Sequence, residues 1–280
     1  IPSRALPGDT ITEFPFFTFT YADLHAHMIA LPVTLLVIGW GLSLLLGKWN
    51  WQQSARIKPW ISFATSLFLG ALSIGMLRAT NTWDFPTFLL LSALIVFYTI
   101  SRYADMHEKW LPGKPFWMRK TLYAAGVIVL LVGGASLLFK PFTEYFGQAY
   151  NSISLWSGDR SPLASYLVHW GVQFFLIITW FVWETRDWLA STPVSSLKKL
   201  QPYLGYLQVV AVLLGLVLLL ITLLGVKIGL LAGIMGVWAL ILMLRPGQTD
   251  TKRLVFFMVG TGVVLTLFVE MFVLVGDIGR

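Results

Sequence analysis

Along the chain, polar positions fall in short clusters between long, nearly unbroken apolar runs, at 28–47, 60–77, 86–101, 121–139, 163–183, 203–224, 228–244 and 254–274. A helix needs about 20 predominantly apolar residues to cross a hydrocarbon layer of about 30 Å. Helices and closed barrels are the only backbones that satisfy all their polar groups in lipid. The runs therefore predict an all-α, polytopic transmembrane helical bundle of about eight spans, forming a single integral membrane domain over residues 1–280.

Composition agrees: 57% of the residues are hydrophobic and 12% charged, against about 25% charged in soluble domains. The surroundings expected of such a chain are membrane lipids. The chain has no cysteine, which excludes disulfides, thiolate catalysis and Cys-ligated metal sites. Residue 1 is Ile and no signal peptide precedes the first run; the chain is expected to be a piece of something longer, with earlier spans missing.

The net charge of +7 changes the picture only through its placement. Fourteen of the 20 Lys and Arg residues fall in alternate loops, at 48–59, 102–120, 184–202 and 245–253. That is the pattern of topology signals and not of a nucleic-acid-binding stripe, so no nucleic-acid partner is expected. By the positive-inside rule these loops are cytoplasmic, and the other polar clusters face the extracytoplasmic side of the plasma (inner) membrane. No phosphate-cradling Gly loop followed by Lys and Ser or Thr occurs, which disfavours ATP-driven transport. Ionisable residues gather at the outward rim and not at mid-membrane, which argues against a secondary transporter.

The densest outward cluster is Tyr21-Ala-Asp-Leu-His-Ala-His27, preceded by aromatic residues that suit an interfacial belt. On a helix Asp23 and His27 share a face; on an extended segment Asp23, His25 and His27 all do. Three readings are open. They are ligands for a divalent cation (Mn, Mg or Zn), a general base with a charged partner, or an interfacial anchor with a helix cap.

A second cluster, Asn81-Thr-Trp-Asp-Phe-Pro86, joins the second and third spans. Asp84 or Thr82 suits a helix cap and Pro86 a first turn. Asn81, Trp83 and Asp84 also bring together an amide, a stacking surface and a carboxylate, the inventory of carbohydrate recognition. Arg78, at the end of the second span, suits a phosphate. In the outward loop 140–162 the aromatic spacing predicts a short interfacial helix, with Glu144, Asp159 and Arg160 keeping the loop solvated. Glu270 serves equally as a functional carboxylate or a packing group. Gly229 and Gly233 have the spacing of close helix packing.

At Glu13-Phe-Pro-Phe-Phe17, Tyr21-Ala-Asp-Leu-His-Ala-His27, Asn81-Thr-Trp-Asp-Phe-Pro86 and Val269-Glu-Met-Phe-Val-Leu-Val-Gly-Asp277, the chain resembles the YYY-type multi-pass membrane proteins. That family is similar to the GT-C glycosyltransferases, which use polyprenyl-phosphate sugars. The resemblance implies outward-facing transfer of a sugar from a lipid phosphate. Asp23 would be base or metal ligand, His25 and His27 would contact metal or diphosphate, and Asp84 with Asn81 would hold the sugar. The alternative is a non-enzymatic integral membrane subunit that scaffolds a larger complex and has other membrane subunits as partners.

Overall fold

The computed structural model describes residues 19–20, 26–52, 57–105, 111–146 and 152–275. They form two compact units, one ending at residue 146 and the other beginning at residue 152. Among the described residues, seven helices are long and apolar enough to cross a membrane, and an eighth, Ile228–Leu244, is an apolar helix of 17 residues. The eight runs of the sequence are thus eight helices.

The first unit contains α1 (Ala26–Leu46), α2 (Pro59–Thr80), α3 (Asp84–Tyr103), α4 (Phe116–Leu138) and the short α5 (Lys140–Tyr145). Its core joins Val37, Ile74, Leu77, Val96, Ile100 and Leu131. Lipid is as apolar as leucine, so close packing and polar contacts must hold such helices together. Small residues provide the approach. A Cβ built on Gly75 would lie 2.4 Å from the Phe139 ring and 2.8 Å from the Ala135 carbonyl oxygen, and one on Gly134 would lie 3.0 Å from Ala71. The Trp40 indole crosses from α1 to α2, donating to the Ser66 carbonyl at 2.8 Å, over Gly70, where a Cβ would meet the same ring at 2.4 Å.

α4 starts at Phe116, earlier than its apolar run at 121. The buried Lys120 explains the difference. Its ammonium donates to the Ser101 carbonyl at 2.8 Å, in the last turn of α3, where orphan carbonyls and the helix dipole both favour a cation.

The second unit contains β1 (Ser152–Leu155), α6 (Leu163–Ser191), a 3-10 helix (Val194–Tyr203), α7 (Leu204–Leu223), α8 (Ile228–Leu244), α9 (Asp250–Met271) and β2 (Phe272–Val275). Its core stacks Trp180 on Phe256, ring centroids 4.4 Å apart, beside Phe181, Met235 and Leu242. Gly225, at φ +87°, ends α7 in a Schellman turn, with Val226 N–H on the Ile221 carbonyl and Gly225 N–H on that of Thr222. α8 then folds back along α7. Gly229 and Gly233 receive Ile221 and Leu218, whose atoms lie 2.4 and 2.1 Å from a built Cβ, as their spacing predicts.

Two boundaries correct the sequence reading. α6 runs on to Ser191, past the apolar run ending at 183, because Glu184 inside the helix is paired. The run 254–274 begins as helix at Asp250 and stops at Met271. Its last residues form β2, antiparallel to β1 with Leu155 opposite Phe272 and Ser152 opposite Val275. Among the described residues of the loop 140–162, Lys140–Tyr145 are helical and Ser152–Leu155 form this strand.

Candidate functional site

Between α2 and α3 only Asn81, Thr82 and Trp83 are non-helical, and the turn is closed by its own polar groups. Asn81 N–H donates to the Leu77 carbonyl at 2.8 Å and Asp84 N–H to the Asn81 carbonyl at 3.0 Å. The Asn81 side chain acts at both ends: its Nδ2 donates to Asp84 Oδ2 at 3.0 Å, and its Oδ1 accepts from Trp83 N–H at 3.4 Å. The cap position of α3 is held by Trp83, without a side-chain cap bond. The expectation of a cap from Asp84 or Thr82 is therefore corrected. In so short a turn the Thr82 hydroxyl reaches back to the Arg78 carbonyl at 3.2 Å, while the Asp84 carboxylate is engaged by an amide. Pro86 does lie in the first turn of α3.

Arg78 is half-buried in the last turn of α2, its guanidinium 5.5 Å from the centroid of the Phe85 ring. Trp83 is 49% exposed. The turn thus presents an exposed indole face beside a carboxylate whose Oδ2 is oriented by an amide, with a cation one helical turn before. Stacking, hydroxyl recognition and anion pairing are each chemically available there.

Of the other cluster only Ala26 and the backbone of His27 are described, and they begin α1. The backbone of His27 lies in the first turn of that helix; Asp23, His25 and the side chain of His27 lie outside the described residues. The position of this turn follows from the Trp40–Ser66 bond between antiparallel α1 and α2. Fourteen residues separate Trp40 from Ala26 and fourteen separate Ser66 from Thr80. At an equal rise per residue, the start of α1 and the end of α2 reach the same level at one end of the unit. The first turn of α1, with the backbone of His27, therefore lies at the same end of the unit as Arg78, Asn81, Trp83 and Asp84. Among the described residues no three His, Asp or Glu side chains gather to hold a metal ion.

Two polar centres in the second unit lie outside the sequence-level site. At the start of α6, Ser161 N–H donates to Glu270 Oε2 at 3.0 Å. Arg160 donates to the Glu270 carbonyl and, at 2.9 Å, to that of Trp156. Trp156 N–H bonds the Met271 carbonyl at 2.9 Å. Arg160 is therefore not a solvating charge; it clasps the segment after β1 to the end of α9, and the Glu270 carboxylate accepts from the Ser161 amide. Glu144, by contrast, forms an exposed i,i+4 pair with Lys140 at 3.3 Å.

At the opposite end of α6 stands Glu184, with a side-chain exposure of 3%. Lys252 Nζ lies 2.6 Å from its Oε1, and Arg245 Nη1 3.7 Å from its Oε2. Arg245 also donates to the Glu184 carbonyl at 3.0 Å and contacts Asp187 at 3.4 Å. Trp238 Nε1 donates to Thr185 Oγ1 beside it, at 2.9 Å. The signal available in the sequence was a carboxylate directly after an apolar run, where an unpaired charge is costly. Its partners, 61 and 68 residues away, were not readable.

Apolar helices of membrane-crossing length, packed through small residues with their outer faces apolar and exposed, define an integral membrane protein. The chain belongs to the uncharacterised membrane protein family DUF2298, whose family model matches residues 1–280. No curated protein and no solved structure matches it.

Proposed function

We propose that the protein is a membrane glycosyltransferase that moves a sugar from a polyprenyl-phosphate carrier to an acceptor hydroxyl, on the extracytoplasmic side of the plasma membrane. The observation that carries this reading is the common rim. The first turn of α1, the last turn of α2 and the Asn81–Asp84 turn meet at one end of an apolar bundle, where a lipid phosphate also resides. In this reading Trp83 stacks on the sugar, and Asp84 with Asn81 holds its hydroxyls. Arg78 pairs with the phosphate.

Asp23 takes the proton of the acceptor hydroxyl as the new C–O bond forms, and the bond from the anomeric carbon to the phosphate oxygen breaks with inversion. His25 and His27, with Asp23, supply donors suited to a divalent cation (Mn, Mg or Zn), which when bound offsets charge on the departing phosphate.

The test is sugar transfer from a labelled polyprenyl-phosphate donor by the full chain in proteoliposomes. Asp23→Asn is expected to lower transfer by about 10²-fold or more, the scale of general acid–base catalysis, and His27→Ala and Asp84→Asn are expected to lower it through lost cation and sugar contacts, each with unchanged thermal unfolding. Unaltered transfer by Asp23→Asn and His27→Ala would remove them from the mechanism. The alternative, a non-enzymatic subunit of a larger complex, is favoured by α7, in which no residue is buried. Purification at fixed stoichiometry with other membrane subunits, without transfer, would establish it.

A further inference from the structure

We propose that the segment Val194–Tyr203 is a seat for acidic phospholipid headgroups, in the leaflet that the basic loops face; this does not rest on the transferase reading. The segment joins α6 to α7, two helices each long and apolar enough to cross a membrane. It therefore lies where both leave the hydrocarbon. Ten residues of 3-10 helix is long for a form usually limited to three or four, and its period is three. In the sequence Val194, Leu197, Leu200 and Tyr203 recur at that period, and Ser195, Ser196, Lys198, Lys199, Gln201 and Pro202 occupy the other positions. A lysine-bearing segment that joins two membrane-crossing helices lies at the interface. Tyr203 and Tyr206, exposed by 59% and 76%, stand at the same boundary, where amphipathic rings are favoured.

The charge at this end of the unit is unevenly compensated. Arg245 and Lys252 are neutralised by Glu184 and Asp187. Lys198 and Lys199 are exposed, no Asp or Glu occurs in the sequence between Asp187 and Asp250, and no ion pair to either lysine exists among the described residues. Arg186 is exposed one turn before the end of α6. An uncompensated lysine pair on an interfacial segment is complementary to lipid phosphates. The exposed tyrosines at the membrane boundary select a membrane lipid over a soluble anion.

The experiment places the full chain in phosphatidylcholine nanodiscs and compares the association of spin-labelled phosphatidylglycerol with that of spin-labelled phosphatidylcholine. The wild type is expected to prefer phosphatidylglycerol, and the preference should fall about fivefold for each lysine removed in Lys198→Gln/Lys199→Gln. Lys198→Arg/Lys199→Arg should keep it, and added salt should weaken it. Absence of preference in the wild type, an undiminished preference in the glutamine variant, or its loss in the arginine variant would overturn the proposal.

Discussion

The ammonium of Lys252 stands 2.6 Å from the carboxylate of Glu184, and the two ends of this pair differ in exposure: 46% for the lysine side chain, 3% for the glutamate. Removing one partner of a buried pair leaves the other charge without compensation, at about 3–5 kcal/mol. An exposed partner is rehydrated, at about 0–1 kcal/mol. Glu184→Ala removes the buried carboxylate from both cations and leaves Arg245, whose side chain is 12% exposed, with only the exposed Asp187 at 3.4 Å, whereas Lys252→Ala leaves Glu184 with Arg245. Thermal unfolding in detergent should therefore fall far more for Glu184→Ala than for Lys252→Ala. Equal shifts would show that the pair is not a buried one.

Gly75 tests the close approach of α2 and α4. A methyl group there meets the Phe139 ring and the Ala135 carbonyl oxygen at under 3 Å, so Gly75→Ala should cost about 1–3 kcal/mol by overpacking. Gly39, in α1, has nothing within 4 Å of a built Cβ. Gly39→Ala should instead stabilise the protein by about 0.5–1 kcal/mol through lower unfolded-state entropy. Paired melting curves decide between them, and a neutral Gly75→Ala would exclude this helix contact.

Arg160 holds the segment after β1 through two backbone carbonyls, those of Trp156 and Glu270. Arg160→Gln should release that segment without unpacking α6 or α9. Hydrogen exchange should accelerate at the Trp156 and Ser161 amides, which bond to Met271 and Glu270. The core amides around Phe181 and Phe256 should be unchanged. Protection that persists at Trp156 would mean the strand pairing suffices without the arginine.

The eight helices were legible in the sequence because membrane-crossing apolar runs are long and their loops short. Their ends were less so, for a physical reason that repeats. Lys120 and Glu184 interrupt apolar patterns and read as loop, yet both remain helical because a distant residue satisfies them: the Ser101 carbonyl for one, Lys252 and Arg245 for the other. β1 and β2 pair residues more than a hundred positions apart, so no local pattern announces them. In the Asn81–Asp84 turn the residue types were legible in the sequence. Their mutual hydrogen bond depends on a turn of only three residues, which periodicity does not resolve.

The central claim is that one polar rim unites the start of α1 with the Asn81–Asp84 turn. The chain has no native cysteine, so spin labels can be placed at Ala26→Cys with Thr82→Cys, both at exposed positions, and at Ala26→Cys with Asn50→Cys. Pulsed electron–electron resonance should give a 26–82 distance on the scale of neighbouring helices, about 10 Å between axes plus the labels. The 26–50 distance should be near the length of α1, about 30 Å. A 26–82 distance as long as the 26–50 distance would place the two clusters at different levels of the membrane and contradict the account.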